Sequence, residues 1–481
     1  MDENDAGNAT SGGRHLVLCC DGTWNDPRSR TNVRLIFEFL AERCGRAPVE
    51  EGETAVLGPC PAPGGGEILA FYQTGLGTLP GERIRGGLFG YGLSRKVAEA
   101  YAFLCRHWRA GDVIHLVGFS RGAFIARSLS GVVGRLGLLP AETPRDRLYD
   151  AVRASQEGRA VPRGERLPTI RFLGVFDTVG ALGIPLPQFN WLNRFFGLTR
   201  FHDTVLSPVV EQACQALAID ERRGNFRPVV WSRRPGFVRL PDGSETAIRQ
   251  RVLQVWFAGS HGDVGGGYPE RDLSDVALRW MLRRMEKAGL PLGADWETAR
   301  PGWGEPLGLR HDSTRGIFRL AEGGVGAVLR AVFPAGSFLF RLAPLFDLLQ
   351  VGPYDRPLVG EIQADDPHLF SVPVGLQVHE SVVERFATGG MPDKVRRALE
   401  ANIRVFREPE RPASPGARLD GSNVILLDRS PNGAAVKIER GAPPAPGTSV
   451  TLELPDEPSP RRARVAWRRE DRVGLAFERA A

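Results

Sequence analysis

The chain has 481 residues, a length that predicts either several domains or one large α/β domain with an appendage. Hydrophobic residues make up 42% of it and charged residues 25%, which excludes both a disordered chain and an integral membrane protein. The 62 basic residues nearly balance the 56 acidic ones and are almost all arginine, so we attribute the net charge of +6 to codon bias and expect no nucleic-acid partner. A basic face for an anionic lipid or nucleotide is the alternative.

The amino-terminal residues do not resemble a signal peptide. Residues 1–13 are acidic and polar, whereas a signal peptide starts with basic residues and continues with apolar ones, so we expect a disordered leader. The most apolar later region, residues 317–351, is interrupted by three arginines, so no run is long enough to span a membrane. We therefore expect a cytoplasmic protein, with secretion by a signal-independent route left open.

The six cysteines show neither a C-x-x-C motif nor a Cys/His metal spacing. Cys19 and Cys20 are adjacent in an apolar run, where successive side chains of a strand point to opposite faces, so a disulfide between them is not expected. We interpret the cysteines as buried core residues in a reducing compartment, and we expect no bound metal.

Apolar runs alternate with helical patterns through the first three fifths of the chain. Continuous apolar runs are typical of buried parallel strands, and they occur at residues 15–20, 68–72, 113–119, 169–176, 228–231 and 252–258. Helical patterns occur at residues 32–44, 94–108, 122–136, 208–221 and 273–288. The alternation predicts an α/β domain with a doubly wound, mostly parallel sheet.

The pattern changes twice in the remaining residues. Residues 289–373 are rich in Gly, Pro and Trp and include an apolar stretch, which we interpret as core or cap helices of a candidate cap insertion. A lipid-facing cap in peripheral contact with a membrane is the alternative. Further helices are predicted at residues 378–386 and 391–404, and residues 388–416 form a helix and a proline-rich linker.

A small all-β module is predicted over residues 417–481. It contains short alternating runs with turns between them, at residues 423–427, 434–439, 449–454, 462–468 and 473–478. The chain is thus expected to consist of a catalytic α/β domain over residues 14–387 and this C-terminal appendage.

The pentapeptide Gly118-Phe119-Ser120-Arg121-Gly122 follows one predicted strand and begins the next helix. A nucleophile elbow needs small residues on both sides of the serine, because the backbone turns sharply there and neighbouring segments approach closely. The serine hydroxyl then lies at a helix N-terminus, where developing negative charge is stabilised. Ser120 is therefore the candidate nucleophile.

A serine nucleophile needs a base and an orienting acid, and in this fold class they follow in the order Ser, Asp, His. Asp177 directly follows one apolar run, and His261 lies just after the run that ends at Ala258. The carboxyl ends of parallel strands lie at one edge of the sheet, so these two residues are expected beside Ser120.

The loop that begins at Asp21 ends the first predicted strand. The backbone N–H groups of Gly22 or Thr23, together with that of Arg121, are candidate oxyanion-hole donors. Asp21 is expected to support this loop through hydrogen bonds to its backbone.

Four sequence blocks carry a resemblance to one family. They are residues 18–25 (LCCDGTWN), 118–123 (GFSRGA), 174–179 (GVFDTV) and 261–268 (HGDVGGGY), and residues 379–385 (HESVVER) resemble the family's closing motif. The family is domain of unknown function 2235, the α/β-hydrolase-like catalytic domain of the first class of type VI secretion lipase effectors. The resemblance implies a Ser–Asp–His hydrolase of lipid or phospholipid acyl esters that requires no cofactor, with Ser120 as nucleophile, Asp177 as acid and His261 as base.

The C-terminal module resembles a PilZ domain, a small β-barrel that binds cyclic di-GMP. Asp428, Ser430 and Gly433 match its D-x-S-x-x-G motif. Arg407 and Arg411 match the spacing of the R-x-x-x-R motif, whose guanidinium groups stack on guanine and bind phosphate. The resemblance implies cyclic di-GMP as a candidate allosteric ligand, although Arg411 lies closer to Asp428 than the family pattern has it.

Three functions are compatible with these residues. The first is a serine esterase acting on lipids, possessing a nucleotide-responsive module. The second is a metal-dependent hydrolase in which Asp21, Asp177, His261 and Asp263 hold a divalent cation at one sheet edge. The third is a non-catalytic cyclic di-GMP sensor on a hydrolase scaffold.

Overall fold

The computed structural model describes residues 13–22, 29–51, 53–75, 89–179, 206–223, 226, 228–231, 237–239, 245–247, 250–298, 302–313, 376–387, 394–396, 404–406, 417–430, 433–438, 441–454, 459–469 and 472–477. The chain divides into two compact units. One comprises Met1–Ala294 and Pro306–Phe406, and the other comprises Asp295–Glu305 and Arg407–Ala481. The predicted leader, apart from Gly13, and residues 314–373 of the predicted cap lie outside the described residues.

The first unit is built on a ten-stranded sheet. Its strands are β1 (Arg14–Cys20), β2 (Val49–Glu51), β3 (Thr54–Pro61), β4 (Glu67–Gln73), β5 (Val113–Phe119), β6 (Ile170–Phe176), β7 (Val210–Ala218), β10 (Arg251–Phe257), β11 (Leu376–His379) and β12 (Arg404–Phe406). A separate antiparallel pair is formed by β8 (Phe237–Arg239) and β9 (Glu245–Ala247). The order in the sheet is β12-β11-β10-β7-β6-β5-β1-β4-β3-β2.

All neighbouring strands from β12 to β4 are parallel, and only β3 and β2 add antiparallel pairs at one edge. Parallel strands are buried on both faces by helices, which explains why their sequences are continuous apolar runs. The predicted doubly wound, mostly parallel sheet is confirmed.

The described helices cover the faces of this sheet. They are α1 (Asn32–Cys44), α2 (Phe89–His107), α3 (Arg121–Leu136), α4 (Arg145–Gln156), α5 (His261–Gly265), α6 (Asp272–Lys287) and α7 (Glu380–Ala387). Side chains from α2, α3 and α4 pack against one face of the central strands in a single hydrophobic core. Thr31 caps α1 by accepting a hydrogen bond from the Arg34 N–H, and the helix ends at Gly45 in the left-handed conformation.

Two predicted elements are wrong. The helix predicted at residues 208–221 is β7, a strand in the middle of the sheet, and its six C-terminal residues are buried. Its sequence VEQACQALA contains glutamines and alanines that favour helix locally, but burial between two parallel neighbours overrides that preference. Residues 228–231, predicted as a strand, form only an isolated bridge between Val179 and Pro228.

The last predicted helices are confirmed in part. Residues 376–379 are β11, and the helix predicted from residue 378 begins at Glu380. Of the helix predicted at residues 391–404, the structure describes 394–396, which are helical, and the strand β12, which begins at Arg404.

The cysteines include one disulfide that the sequence did not reveal. Cys44, at the end of α1, is bonded to Cys60 in β3, with 5.9 Å between their Cα atoms. The interpretation of all six cysteines as reduced core residues is therefore wrong for this pair, because the two sulfur atoms are bonded to each other. Cys19 and Cys20 are free and buried, as expected. None of the helices in the described ranges has the length and apolar character that crossing a membrane requires.

The second unit contains a closed antiparallel barrel, which confirms the predicted all-β module. Its strands are β13 (Arg418–Leu419), β14 (Ser422–Ser430), β15 (Gly433–Ile438), β16 (Ser449–Glu453), β17 (Arg461–Arg469) and β18 (Arg472–Phe477), joined in the order β13-β14-β15-β18-β17-β16. Alternate residues such as Val436, Leu452 and Val465 fill the interior, so the barrel has a hydrophobic core of its own.

Candidate active site

The carboxyl ends of the central parallel strands bring the predicted catalytic residues to one sheet edge. Asp21 follows β1, Ser120 follows β5 and Asp177 follows β6, and these three strands are consecutive neighbours together with β7 and β10. His261 begins α5, four residues after the end of β10. Ligands and catalytic groups in open α/β sheets gather at this edge.

Ser120 lies in a strained turn between β5 and α3. Its backbone has φ 56° and ψ −120°, a conformation that non-glycine residues rarely adopt. The Ser120 N–H donates to the Phe176 carbonyl over 3.0 Å, and its carbonyl accepts from the Phe124 N–H in the first turn of α3. The residue is 5% exposed. Strain of this kind characterises a nucleophile elbow, in which the turn lifts the serine above the sheet.

Gly122 permits the close approach that this turn requires. A Cβ atom built on Gly122 would lie 2.1 Å from the Cys20 carbonyl oxygen and 2.5 Å from that of Asp21, both in the backbone. The first turn of α3 therefore packs directly on the end of β1, and no side chain fits between them.

Asp177 and His261 are joined by a short hydrogen bond of 2.6 Å between Oδ2 of the carboxylate and Nδ1 of the imidazole. The other carboxylate oxygen accepts the Ala218 N–H over 3.1 Å, and Asp177 is completely buried. Burial lowers the pKa of His261, while the bond to Asp177 opposes this effect. The imidazole is thus held with Nδ1 on the carboxylate, which leaves Nε2 as the atom able to take a proton.

Two aromatic rings contact the His261 imidazole. The Phe119 ring, adjacent in sequence to Ser120, lies 4.6 Å from it between centroids, and the Phe226 ring meets it edge-on at 4.9 Å. The Phe119 contact places the histidine beside the turn that carries Ser120.

Asp21 is a buried acceptor that organises the end of β1. Its carboxylate accepts hydrogen bonds from Thr31 Oγ1 at 2.6 Å, Tyr72 Oη at 2.8 Å and the Gly22 N–H at 2.7 Å. Burial raises the pKa of Asp21 to about 6, and the three donors oppose that rise. In this arrangement the Gly22 N–H is directed at Asp21. Asp21 therefore has the contacts expected of a loop support.

Of the other two predicted oxyanion-hole residues, the structure describes one. Thr23 lies outside the described residues. Arg121 is the first residue of α3, and burial lowers the pKa of its guanidinium to about 10. Its position at the helix N-terminus, directly after Ser120, is the one at which backbone N–H groups stabilise an oxyanion.

The predicted nucleotide-binding residues are described only in part. Asp428 and Ser430 are in β14 and Gly433 begins β15, and Ser430 pairs with Gly433 across the tip of the hairpin. Arg407 and Arg411 lie outside the described residues.

Residues 14–284, more than half of the 481-residue chain, match the family model described as the type VI secretion system phospholipase effector Tle1-like catalytic domain. The chain belongs to this family. Residues 400–481 match the PilZ domain model. The Tle1-like match covers Asp21, Ser120, Asp177 and His261, and the PilZ match covers the barrel.

The Tle1-like domain has distant relatives of several kinds. The Saccharomyces cerevisiae protein YEL023C is 26% identical over 267 residues, which are 48% of this chain and 34% of the yeast protein, so the match spans about a third of that relative. A Pseudomonas aeruginosa protein of known crystal structure is 18% identical, with a TM-score of 0.33 over 60% of this chain and 47% of that one.

Two further solved structures are similar. The Tle1 effector bound to the VgrG spike is 17% identical, with a TM-score of 0.27 over 54% of this chain and 52% of that one. The propionate-bound esterase Est2 of Thermogutta terrifontis is 12% identical, with a TM-score of 0.31 over 59% of this chain and 86% of that one. Because all of these TM-scores are below 0.5, the family assignment rests on the sequence match alone.

The acidic side chains of the metal hypothesis are engaged separately in the Tle1-like domain. Asp21 binds hydroxyl groups, Asp177 binds His261, and Asp263 accepts Nδ1 of His311 at 2.6 Å. Within the described ranges, no group of three or more His, Cys, Asp or Glu side chains is arranged to hold a metal ion. Each of these three carboxylates thus has its own hydrogen-bond partner in the structure.

Three residues of this site were missed in the sequence. Glu221 lies three residues after β7 and is completely buried, and its Oε2 accepts the His261 N–H over 3.2 Å. Arg223 is paired with Glu221, and His311 is bound to Asp263. The signal that could have found Glu221 is an acidic residue after a buried strand, but the prediction of a helix at residues 208–221 concealed it.

Proposed function

We propose that the first unit is a serine hydrolase that cleaves carboxylic esters through Ser120, Asp177 and His261. The observation that carries this proposal is the 2.6 Å bond between Asp177 and His261 at the sheet edge where the strained turn presents Ser120. The membership of the Tle1-like phospholipase family supports the same reaction class.

The mechanism follows from the roles that these groups can take. His261 removes the proton of Ser120 through Nε2 while Asp177 holds Nδ1 and stabilises the imidazolium. The serine oxygen attacks the ester carbonyl, and the resulting oxyanion is stabilised by the Arg121 N–H. The Thr23 N–H is the proposed second donor, because the Gly22 N–H is donated to Asp21. His261 then protonates the departing alcohol, and a water molecule that it deprotonates releases the acyl group from Ser120.

The proposed substrate is a lipid or phospholipid acyl ester. The family description names a phospholipase effector, and this description supports the lipid class.

The acid and the base are shielded from solvent. Asp177 is completely buried and His261 is 6% exposed, so little water reaches the pair and the interaction between their charges is strengthened.

Replacing Asp177 by asparagine is expected to lower kcat by roughly 10³–10⁴-fold, because the amide would present an N–H to Nδ1 and favour the wrong tautomer of His261. The measurement is hydrolysis of a soluble short-chain ester alongside labelling by a fluorophosphonate probe, whose adduct mass spectrometry should locate on Ser120. A wild-type protein that hydrolyses no ester and resists the probe would rule out the proposed function. Chelator-sensitive hydrolysis without labelling would instead support the metal-dependent alternative.

We further propose that the PilZ domain binds cyclic di-GMP and regulates the hydrolase. The D-x-S-x-x-G motif spans the end of β14 and the start of β15, where Ser430 pairs with Gly433. Arg407 and Arg411 supply guanidinium groups that can bind the two phosphodiester groups of this ligand. The PilZ match supports this assignment.

Calorimetric titration of the full chain with cyclic di-GMP is expected to show binding that Arg411→Ala weakens by about tenfold or more, since a hydrogen bond to a charged group contributes about 1.5–3 kcal/mol. Arg462→Ala, at an exposed position of β17, is the matched control and should leave the affinity unchanged. The absence of heat with the wild-type chain would end this proposal without affecting the hydrolase.

A further inference from the structure

The segment that follows β7 gives His261 a second support besides Asp177. The Glu221 carboxylate accepts the backbone N–H of His261 through Oε2. Through Oε1 it accepts two groups of Arg223, the backbone N–H at 2.8 Å and the side-chain Nε at 2.9 Å. A second guanidinium nitrogen, Nη2, donates to Oε2 at 2.9 Å. This bidentate ion pair is a charge-assisted contact of the strongest kind in proteins.

The same arginine also supports the imidazole through a ring. Arg223 lies over the Phe226 ring, with its guanidinium carbon 3.6 Å from the ring centroid, and Phe226 meets the His261 imidazole edge-on at 4.9 Å. The ion pair therefore supports the histidine in two ways. The carboxylate accepts its backbone N–H, and the arginine packs on the ring that contacts its imidazole.

Residues 306–313 add contacts to Glu221 and to the helix that carries His261. Ser313 Oγ donates to Glu221 Oε1 over 2.8 Å, and His311 binds Asp263, the residue two positions after His261. Asp263 in turn accepts the N–H and hydroxyl of Ser260 in the capping box that begins α5. The helix that carries His261 is thus held at both its N-terminal backbone and its first turn.

We propose that the Glu221–Arg223 ion pair is a positioning element for His261, with the carboxylate fixing the backbone of the histidine and the arginine holding Phe226 against its imidazole. The proposal rests on the assignment of His261 as the general base. A carboxylate that is completely buried and paired incurs a large desolvation cost, and a buried pair of this kind adds little net stability. Its value to the protein then lies in orienting the base, because misplacing a catalytic group by about 1 Å can cost about 100-fold in rate.

The charged groups facing His261 define the expected pH effect. Asp177 at the end of β6 and Glu221 after β7 raise the pKa of His261, whereas Arg223 and burial lower it. Asp263, on the same helix as His261, is bound to His311. Glu221→Gln keeps an oxygen that can accept the His261 N–H but removes the negative charge, so the remaining Arg223 charge lowers the pKa of His261 further.

The decisive experiment is a histidine-selective NMR titration of the full chain, with the His261 signal assigned by His261→Asn. Glu221→Gln is expected to shift the His261 titration to lower pH by about one unit, and Glu221→Gln combined with Arg223→Gln should return it toward the wild-type position. The acid limb of kcat/KM for a soluble ester should move in parallel, because only the neutral imidazole accepts a proton. In Glu221→Gln, kcat should fall about tenfold or more with little change in KM, because the neutral amide no longer forms the ion pair that holds Arg223 on Phe226.

Glu157→Gln is the matched control, since Glu157 also pairs with an arginine two residues later, Arg159. Glu157 lies at the end of α4, far from His261 in sequence. It should change neither the titration nor the rate. An unshifted His261 titration in Glu221→Gln, in a protein that still hydrolyses esters through Ser120, overturns the positioning role and leaves the proposed function intact. A shifted titration in a protein whose hydrolysis survives Ser120→Ala refutes the proposed function and supports the charge coupling.

Discussion

Replacing Ser120 by alanine is expected to reduce kcat for ester hydrolysis by about 10⁵-fold or more and to abolish fluorophosphonate labelling, because no other hydroxyl takes part in the proposed chemistry. The free energy of unfolding should change by less than about 1 kcal/mol, since the change removes one oxygen from a residue that is 5% exposed. The measurement is the steady-state rate with a soluble ester and with phospholipid vesicles, together with urea unfolding.

The control for this change lies in α3, the helix that follows Ser120. Ser128 is 3% exposed, and its hydroxyl has no hydrogen-bond partner in the described part of the chain. Ser128→Ala is therefore the same chemical change at a comparable depth, and it should retain wild-type activity. If Ser120→Ala kept more than about a tenth of the activity, Ser120 could not be the nucleophile.

Gly122→Ala is expected to lower the free energy of unfolding by about 3 kcal/mol or more and to abolish activity. The added methyl group would lie 2.1 Å from the Cys20 carbonyl oxygen, and this atom belongs to the backbone at the centre of the sheet, so it cannot move aside cheaply. Separation of α3 from β1 would displace Ser120 and the Asp21 loop together. Denaturant unfolding and esterase rates measure the two consequences.

Gly131→Ala provides the matched control within α3. The nearest atom to its added Cβ is Nη1 of Arg135 at 3.5 Å, an ordinary contact with a flexible side chain. Alanine is preferred over glycine inside a helix by about 0.5–1 kcal/mol, so this variant should be slightly more stable than the wild type. Equal stability losses in the two variants would contradict the close packing at Gly122.

Local sequence was a good guide to several elements of the first unit. The predicted α1 at residues 32–44 and β5 at residues 113–119 match the structure residue for residue. Apolar periodicity predicts a helix or a strand directly, and small residues around Ser120 predict the turn, because both signals depend only on residues that are close in sequence. For β7 the same reasoning failed, since its glutamines and alanines satisfy a helical pattern as well as they satisfy a buried strand.

The sequence by itself determined the two-part organisation, the parallel sheet, the candidate residues Ser120, Asp177 and His261, and their positions after predicted strands. Only the tertiary structure decided how these residues are held. Glu221 contacts a backbone group 40 residues away in sequence, and Asp263 contacts His311 across 48 residues. Such contacts depend on which strands become neighbours in the sheet, and local periodicity carries no information about strand order.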